Sequence, residues 1–183
     1  MIIGITGLFG SGKDTVAHIL AKKGFEHHSL SDEIRLELTN ENIEASRENL
    51  QKRAIEIREK YSNNELAKRS LGRCKGKKCA LTSIRTIGEV KFLKKNPNFV
   101  LWEIWAEPQA RYKRLLERKD IKEVNTNSFK KFAQQESKEL HGSGAQQNLM
   151  GVIKMADIKI KNNQSIKTLE GRINEALKNL PQD

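Results

Sequence analysis

"MIIGITGLFGSGKDTVAHIL", residues 1–20, decides how the rest of the chain is read. Residues 2–6, IIGIT, are a short β-branched run of the kind that forms a buried strand of a parallel sheet. From Gly12 to about Lys23, apolar residues fall at Val16, Ala17, Ile19, Leu20 and Ala21, a helical stripe that ends at Gly24. Between strand and helix, Gly7, Gly12 and Lys13 satisfy the frame G-x-x-x-x-G-K. At a strand-to-helix turn that pattern has a physical meaning. Glycines let successive amides curl around phosphate oxygens, the helix N-terminus adds partial positive charge, and a lysine supplies a full one. Gly7, Gly10, Ser11, Gly12, Lys13, Asp14 and Thr15 are the expected phosphate-binding residues, with Lys13 also expected to act in catalysis.

Asp14 departs from the frame, which places Ser or Thr there to hold magnesium. Two readings stand side by side. Its carboxylate either replaces the hydroxyl as the magnesium ligand or merely complements the positive helix end. Thr15 can offer its hydroxyl or amide to an α-phosphate.

Further strands are expected at 25–30, 78–84, 98–106 and 156–161, and helices at 108–119, about 127–140 and 165–179. A polar zone at about 32–72 reads as helical, with one long amphipathic helix marked by Ser46, Leu50, Ala54, Ile57 and Tyr61. Strands alternating with helices indicate an α/β chain with a mostly parallel sheet. The zone at 32–72 is too long for a simple crossover, so it is expected to stand over the sheet's carboxyl edge, where open α/β folds bind ligands.

The chain has 183 residues, suited to a single domain spanning 1–183, with 37% hydrophobic and 31% charged residues. Its longest apolar runs are strand-sized, so neither a membrane span nor a leader is expected. Cys74 and Cys79 form a C-x4-C pair with no second pair to complete a zinc site, which predicts two free thiols in a reducing cytoplasm. His27 and His28 show no partner spacing for a metal or a triad. A net charge of +11 implies a polyanionic partner, either nucleic acid or small multiply charged phosphates. Basic residues interleaved with aromatics are missing, so nucleic acid is the less favoured of the two.

Several longer stretches carry a resemblance: "GFEHHSLSDEIRLEL" at 24–38, "SRENLQKRAIEIREKYSNNELAKRSL" at 46–71, "SIRTIGEVKFLKK" at 83–95, "WAEPQARYKRLLERK" at 105–119 and "MADIKIKNNQSIKTLEGRI" at 155–173. Over essentially its whole length the chain resembles the P-loop nucleotide kinases. It is similar to archaeal-type kinases related to adenylate and dephospho-coenzyme A kinases, to deoxynucleoside monophosphate kinases, and to the kinase-like segment preceding some deoxycytidylate deaminases. The resemblance implies a three-layer α/β/α P-loop NTPase fold with a five-stranded sheet, a helical acceptor-binding insertion at about 32–72 and an Arg-rich lid at about 108–140. It implies ATP and Mg2+, and as acceptor a nucleoside or deoxynucleoside monophosphate, with dephospho-coenzyme A as the alternative. A monomer or small homo-oligomer would suffice.

Residue by residue, the resemblance gives Asp32 the task of orienting or deprotonating the acceptor, and Arg35 that of holding its phosphate. Their spacing sets both on one helix face, though a capping Asp and a surface Arg would look the same. Arg58, in the element Glu56-Ile57-Arg58, matches an acceptor-phosphate position. Arg85 follows the third strand, where a guanidinium fork suits phosphate, or where it could pair with Glu89. Arg111, Arg114 and Arg118 form one helical stripe. As lid arginines, Arg114 and Arg118 would absorb charge during transfer; the alternative is a solvated basic face. Asn162-Asn163 stands where relatives bring the adenine close. Relatives often carry Asp at the end of the third strand, but here the segment reads Thr82-Ser83. That substitution keeps open a nucleotide-binding regulator without turnover.

Overall fold

The computed structural model describes residues 1–76, 78–117, 128–140 and 145–180. Among them a five-stranded sheet forms from β1 (Ile2–Thr6), β2 (Glu26–Ser29), β3 (Cys79–Thr82), β4 (Phe99–Trp105) and β5 (Ile158–Lys161), in the order β2-β3-β1-β4-β5. Every pairing is parallel. The first strand read from the sequence is thus the central one, buried on both faces, which is why it is a continuous apolar run.

Side chains alternate across β1 and divide the core in two. On one face Ile3 and Ile5 pack with Val16 and Leu20 of α1 (Lys13–Ala21), Trp102, Ile104 and residues of α9 (Ile166–Lys178). On the other, Leu81 and Leu101 pack with α2 (Leu30–Asn40), α3 (Arg47–Lys60), α4 (Glu65–Arg73), α5 (Ile87–Leu93) and α8 (Leu149–Lys154). The result is the expected three-layer arrangement. α6 (Pro108–Glu117) and α7 (Phe129–Leu140) join through rings of Tyr112, Phe129 and Phe132, with Tyr112 centroids 5.5 Å and 5.7 Å from the two phenylalanines. Among the described residues no helix is long and apolar enough to cross a membrane.

Chain direction creates the crevice. The loop leaving β1 enters α1 on one face, and the loop leaving its neighbour β3 enters α5 on the opposite face. Adjacent carboxyl ends whose connections part this way leave an opening between them.

The zone at 32–72 contains three helices. Ser29 and Asp32 form a capping box that starts α2, and the Ser46 hydroxyl accepts the Asn49 N–H (3.2 Å) to start α3, the helix read from the sequence. Neither α5 nor α8 was expected. Each is under eight residues, too short for a periodicity to register, and only the caps mark them: Thr86 with Glu89, and Asn148 with the Gly151 N–H.

The cysteines also correct an expectation. Instead of two free thiols, Cys74 and Cys79 are joined by a disulfide, with Cα atoms 6.0 Å apart. The chain turns back after α4 and brings Cys74 to the first residue of β3, a proximity that a short spacing in sequence does not reveal.

Gly4 of β1 faces the crowded side. A Cβ there would lie 2.6 Å from Phe99 Cζ and 2.9 Å from Ile84 Cδ1. Gly4→Ala is expected to lower the unfolding free energy by about 1–3 kcal/mol, read from a urea midpoint that falls at unchanged slope.

Candidate functional site

The loop between β1 and α1 is shaped by left-handed glycines and held from behind. Gly12, the N-cap of α1, has φ 95°, and a Cβ on it would stand 2.3 Å from Asn162 Nδ2. That amide donates to the Ser11 carbonyl (2.8 Å), and the Asn162 backbone N–H donates to Trp105 (2.7 Å). Arg111 is buried behind the same loop. Its Nη1 donates to the Phe9 carbonyl (3.0 Å), its Nε to Ala106 (3.1 Å), and its Nη2 to Glu136 Oε1 (2.9 Å). Arg114 donates to the Asn162 carbonyl (2.6 Å). Arg111 is thus an internal clamp and not part of a solvated or closing stripe. Arg118 lies outside the described residues.

Gly12 makes no side-chain cap on α1, whose amino end is the kind of helix terminus that attracts an anion. Ser11 differs from its neighbours: it is buried, its N–H serves Leu8 (3.1 Å) and its carbonyl serves Asn162, so it shapes the loop from inside. Lys13 Nζ donates to the Leu8 carbonyl (3.0 Å). Burial, and then the nearby Arg85 charge, bring its pKa down to about 7. An anion at the loop would reverse that depression.

Two cavities meet at this loop. One, of about 310 Å³, is bordered by Gly10, Gly12, Thr15 and Arg114. The other, of about 400 Å³, reaches under α2 and α3 and is bordered by Asp32, Arg35, Arg47, Arg58 and Arg85. Phe9, Lys13 and Asp14 border both. The Arg47 guanidinium lies 5.1 Å from the Phe9 ring centroid and so ties α3 to the dividing wall.

The second cavity is strongly cationic. Arg85 Nη1 donates to Gln147 (3.0 Å), and burial followed by repulsion from Arg47, with Arg58 and Arg35 beyond, brings its pKa down to about 10. Glu89 is buried, so it does not form the surface pair with Arg85 that one reading of the sequence allows. Glu89 Oε2 instead accepts the backbone N–H groups of Arg85 (2.8 Å) and Thr86 (3.0 Å). Glu89 Oε1 takes Arg58, at 3.2 Å from Nε and 2.8 Å from Nη2, with both side chains buried. Arg58 also donates to the Ala145 carbonyl (3.3 Å), so most of its donors are already committed within the protein. Glu89 is the residue that sequence reasoning underrated; the capping-box spacing Thr86-x-x-Glu89 was its signal.

Asp32 serves its helix and the cavity together. Its Oδ2 accepts the Ser29 N–H (3.3 Å), and its Oδ1 lies 3.4 Å from Arg35, which also donates to the Ser31 hydroxyl (2.7 Å). At the end of β3, Ser83 adopts φ 63° and its hydroxyl meets that of Ser29 (2.8 Å). His27 Nε2 lies 2.9 Å from Thr82 Oγ1, and its pKa is lowered mainly by burial, against the opposing pull of Asp32 and Asp14. Asn163, expected near an adenine, accepts the Glu107 N–H (2.8 Å).

A family model described as an AAA domain matches residues 3–136. A UPF0200 protein of Methanococcus maripaludis is 30% identical over 166 residues, covering 88% of this chain and 87% of its own length. One from Methanocaldococcus jannaschii is 29% identical over 189 residues, covering 98% and 92%. Among solved structures, a shikimate kinase from Bacteroides thetaiotaomicron superposes with a TM-score of 0.61 at 14% identity over 97% of this chain and 98% of its own. A gluconokinase from Sinorhizobium meliloti gives 0.53 at 12% identity, covering 96% and 90%. At such identities the likeness is one of fold.

Removing the Glu89 carboxylate would leave Arg58 buried without its counter-charge and two backbone amides without an acceptor. Glu89→Ala is expected to destabilise the protein by about 3–5 kcal/mol, measured by chemical denaturation.

Proposed function

The chain belongs to the AAA-domain family, and we propose that it is an ATP-dependent phosphotransferase that moves the γ-phosphoryl group to a nucleoside or deoxynucleoside monophosphate. One observation carries this reading: two cavities share a wall made of Phe9, Lys13 and Asp14. A donor phosphate chain seated on the loop amides and an acceptor in the neighbouring cavity would meet at the Lys13 ammonium. Their reacting oxygens would come together with little entropy left to lose.

On this reading the chain is one kinase domain, with α2–α4 over the acceptor and α6 beside the nucleotide. Arg85, with Arg47 and Arg35, faces the acceptor phosphate, whose charge relieves their mutual repulsion. An acceptor phosphate oxygen forms the new bond to the γ-phosphorus as the bond to the β-bridging oxygen breaks, releasing ADP. Lys13 and Arg114 meet the charge that spreads over the transferred group. Asp32 orients the acceptor. In the phosphotransfer site a divalent cation would be held by the exposed Asp14 carboxylate, which borders both cavities, with Thr15 beside it. Mg2+ held there would neutralise phosphate charge.

A monophosphate is favoured over dephospho-coenzyme A because its attacking oxygen is already anionic. A ribose hydroxyl must lose a proton, and at the end of β3 this chain has Thr82 and Ser83 where a carboxylate base would stand.

The test offers nucleoside monophosphates and dephospho-coenzyme A to the protein with ATP and Mg2+, following ADP release. At least one monophosphate is expected to stimulate release, and Lys13→Ala to reduce the rate by about 10²-fold or more. Background rates with every acceptor, despite ATP binding, would favour a regulator without turnover. Asp14→Ala is expected to raise the Mg2+ concentration needed for half-maximal rate; an unchanged requirement would remove the metal from that position. Lys13 gives a pH signature as well. Between about 7 and the ordinary lysine value of 10.5 it is largely neutral in the free protein, and a bound triphosphate restores its proton. ATP binding in that window is expected to take up protons, read by calorimetry in buffers of different ionisation enthalpy, and Lys13→Met to abolish the uptake.

A further inference from the structure

At the amino ends of β2 and β3, away from the crevice at their carboxyl ends, lies a cluster that the phosphotransfer site does not use. Glu26 and Cys79 are register partners, so their side chains share a face of the sheet. His28, two residues beyond Glu26, lies on that same face. Cys74 arrives from the end of α4. The ligating atoms of His28, Cys74 and Cys79 all lie within 4.8 Å of one another. Glu26 Oε2 is 3.6 Å from His28 Nε2.

Two features point to a ligand. His28 Nε2 is shut off from solvent and, among the described residues, has no hydrogen-bond partner, Glu26 standing just beyond reach. A buried ring nitrogen left this way is costly unless something fills its lone pair. Lys75 and Gly76, which follow Cys74, also lie against Glu26. The Lys75 N–H donates to Glu26 Oε2 (3.0 Å), and a Cβ on Gly76 would stand 2.6 Å from Oε1. That contact orients the carboxylate from behind, as outer contacts do for metal ligands.

We propose that Cys74 and Cys79 in their reduced state, together with His28 and Glu26, form a tetrahedral divalent-cation site suited to Zn2+, and that the Cys74–Cys79 disulfide is its metal-free oxidised form. Two thiolates and an imidazole lie together in one cluster, and Glu26, outside that cluster but beside His28, is the carboxylate that would complete a zinc donor set drawn from three segments. The electron balance is simple. A dithiol reductant gives two electrons and two protons to the disulfide and becomes a disulfide itself, leaving two thiols. Zn2+ then binds both sulfurs as thiolates and releases two protons; a small-molecule disulfide that accepts the two electrons and leaves as two thiolates restores the Cys74–Cys79 bond and expels the metal. In either state the end of α4 stays fastened to β3, so the acceptor-side insertion keeps its anchor.

The sequence held half of this site in view. A C-x4-C pair lacked a second pair, which Glu26-x-His28 on the neighbouring strand supplies through register alone.

The full chain, reduced with a phosphine, freed of reductant and kept anaerobic, would be titrated with Zn2+ and with Co2+. One metal per chain is expected, with a thiolate-to-cobalt charge-transfer band that is absent from the disulfide form and from Cys79→Ser. His28 is partly exposed, so His28→Ala should fold, verified by circular dichroism. It is expected to weaken Zn2+ binding by at least about tenfold and to shift the cobalt spectrum. No binding by the reduced protein overturns the proposal, as does His28→Ala binding with unchanged affinity and spectrum. Neither readout depends on phosphotransfer.

Discussion

Asn162 reaches across 151 positions of sequence to hold the carbonyl of Ser11, and Arg111 holds the carbonyl of Phe9 from the same side. Between them these two side chains turn a run of conformationally free glycines into a fixed loop. Glycine is needed at Gly12 because the loop bends through φ 95° and Asn162 stands where a Cβ would be. The same glycines would leave an isolated peptide disordered. Order comes from α6 and from the residue that follows β5, both distant from the loop in sequence, so the loop is shaped only when the sheet has assembled. Arg114, bound to the Asn162 carbonyl, continues this buttress towards the cavity beside α1.

Against that rigid edge the protein gathers positive charge. Arg85, Arg47, Arg58 and Arg35 crowd one cavity, and Lys13 shares its wall. Like charges so close oppose one another, which shows in the lowered pKa of Arg85 and in the contribution of Arg85 to that of Lys13. Folding tolerates the arrangement because Glu89 compensates its buried part, taking Arg58 on one oxygen and two backbone amides on the other. The remaining imbalance is an electrostatic demand for an anion.

Some of the site was legible because its chemistry is local. The glycine frame, Lys13 and the stripe of α1 adjoin in sequence, and helix and strand periods sort the neighbouring apolar residues without tertiary information. Other features had signals too weak to read. α5 and α8 are marked only by their caps, and Arg111 looked like one member of a surface stripe, although burial against Phe9 and Glu136 makes it internal. The cysteines looked idle because their neighbours Glu26 and His28 come from another strand.

By itself, then, the sequence determined the alternation of strands and helices, the glycine loop at the first strand, the cationic character of the chain and the residue types available for phosphate chemistry. These follow from spacing and composition, which act over a few residues. Only the tertiary structure decided that Glu89 neutralises Arg58, that Asn162 and Arg111 brace the loop, that Asp32 caps a helix while bordering the cavity, and that Cys74 meets Cys79 beside His28. Each of these depends on strand register and helix packing, contacts between residues that are distant along the chain and are brought together by burial of the two core faces.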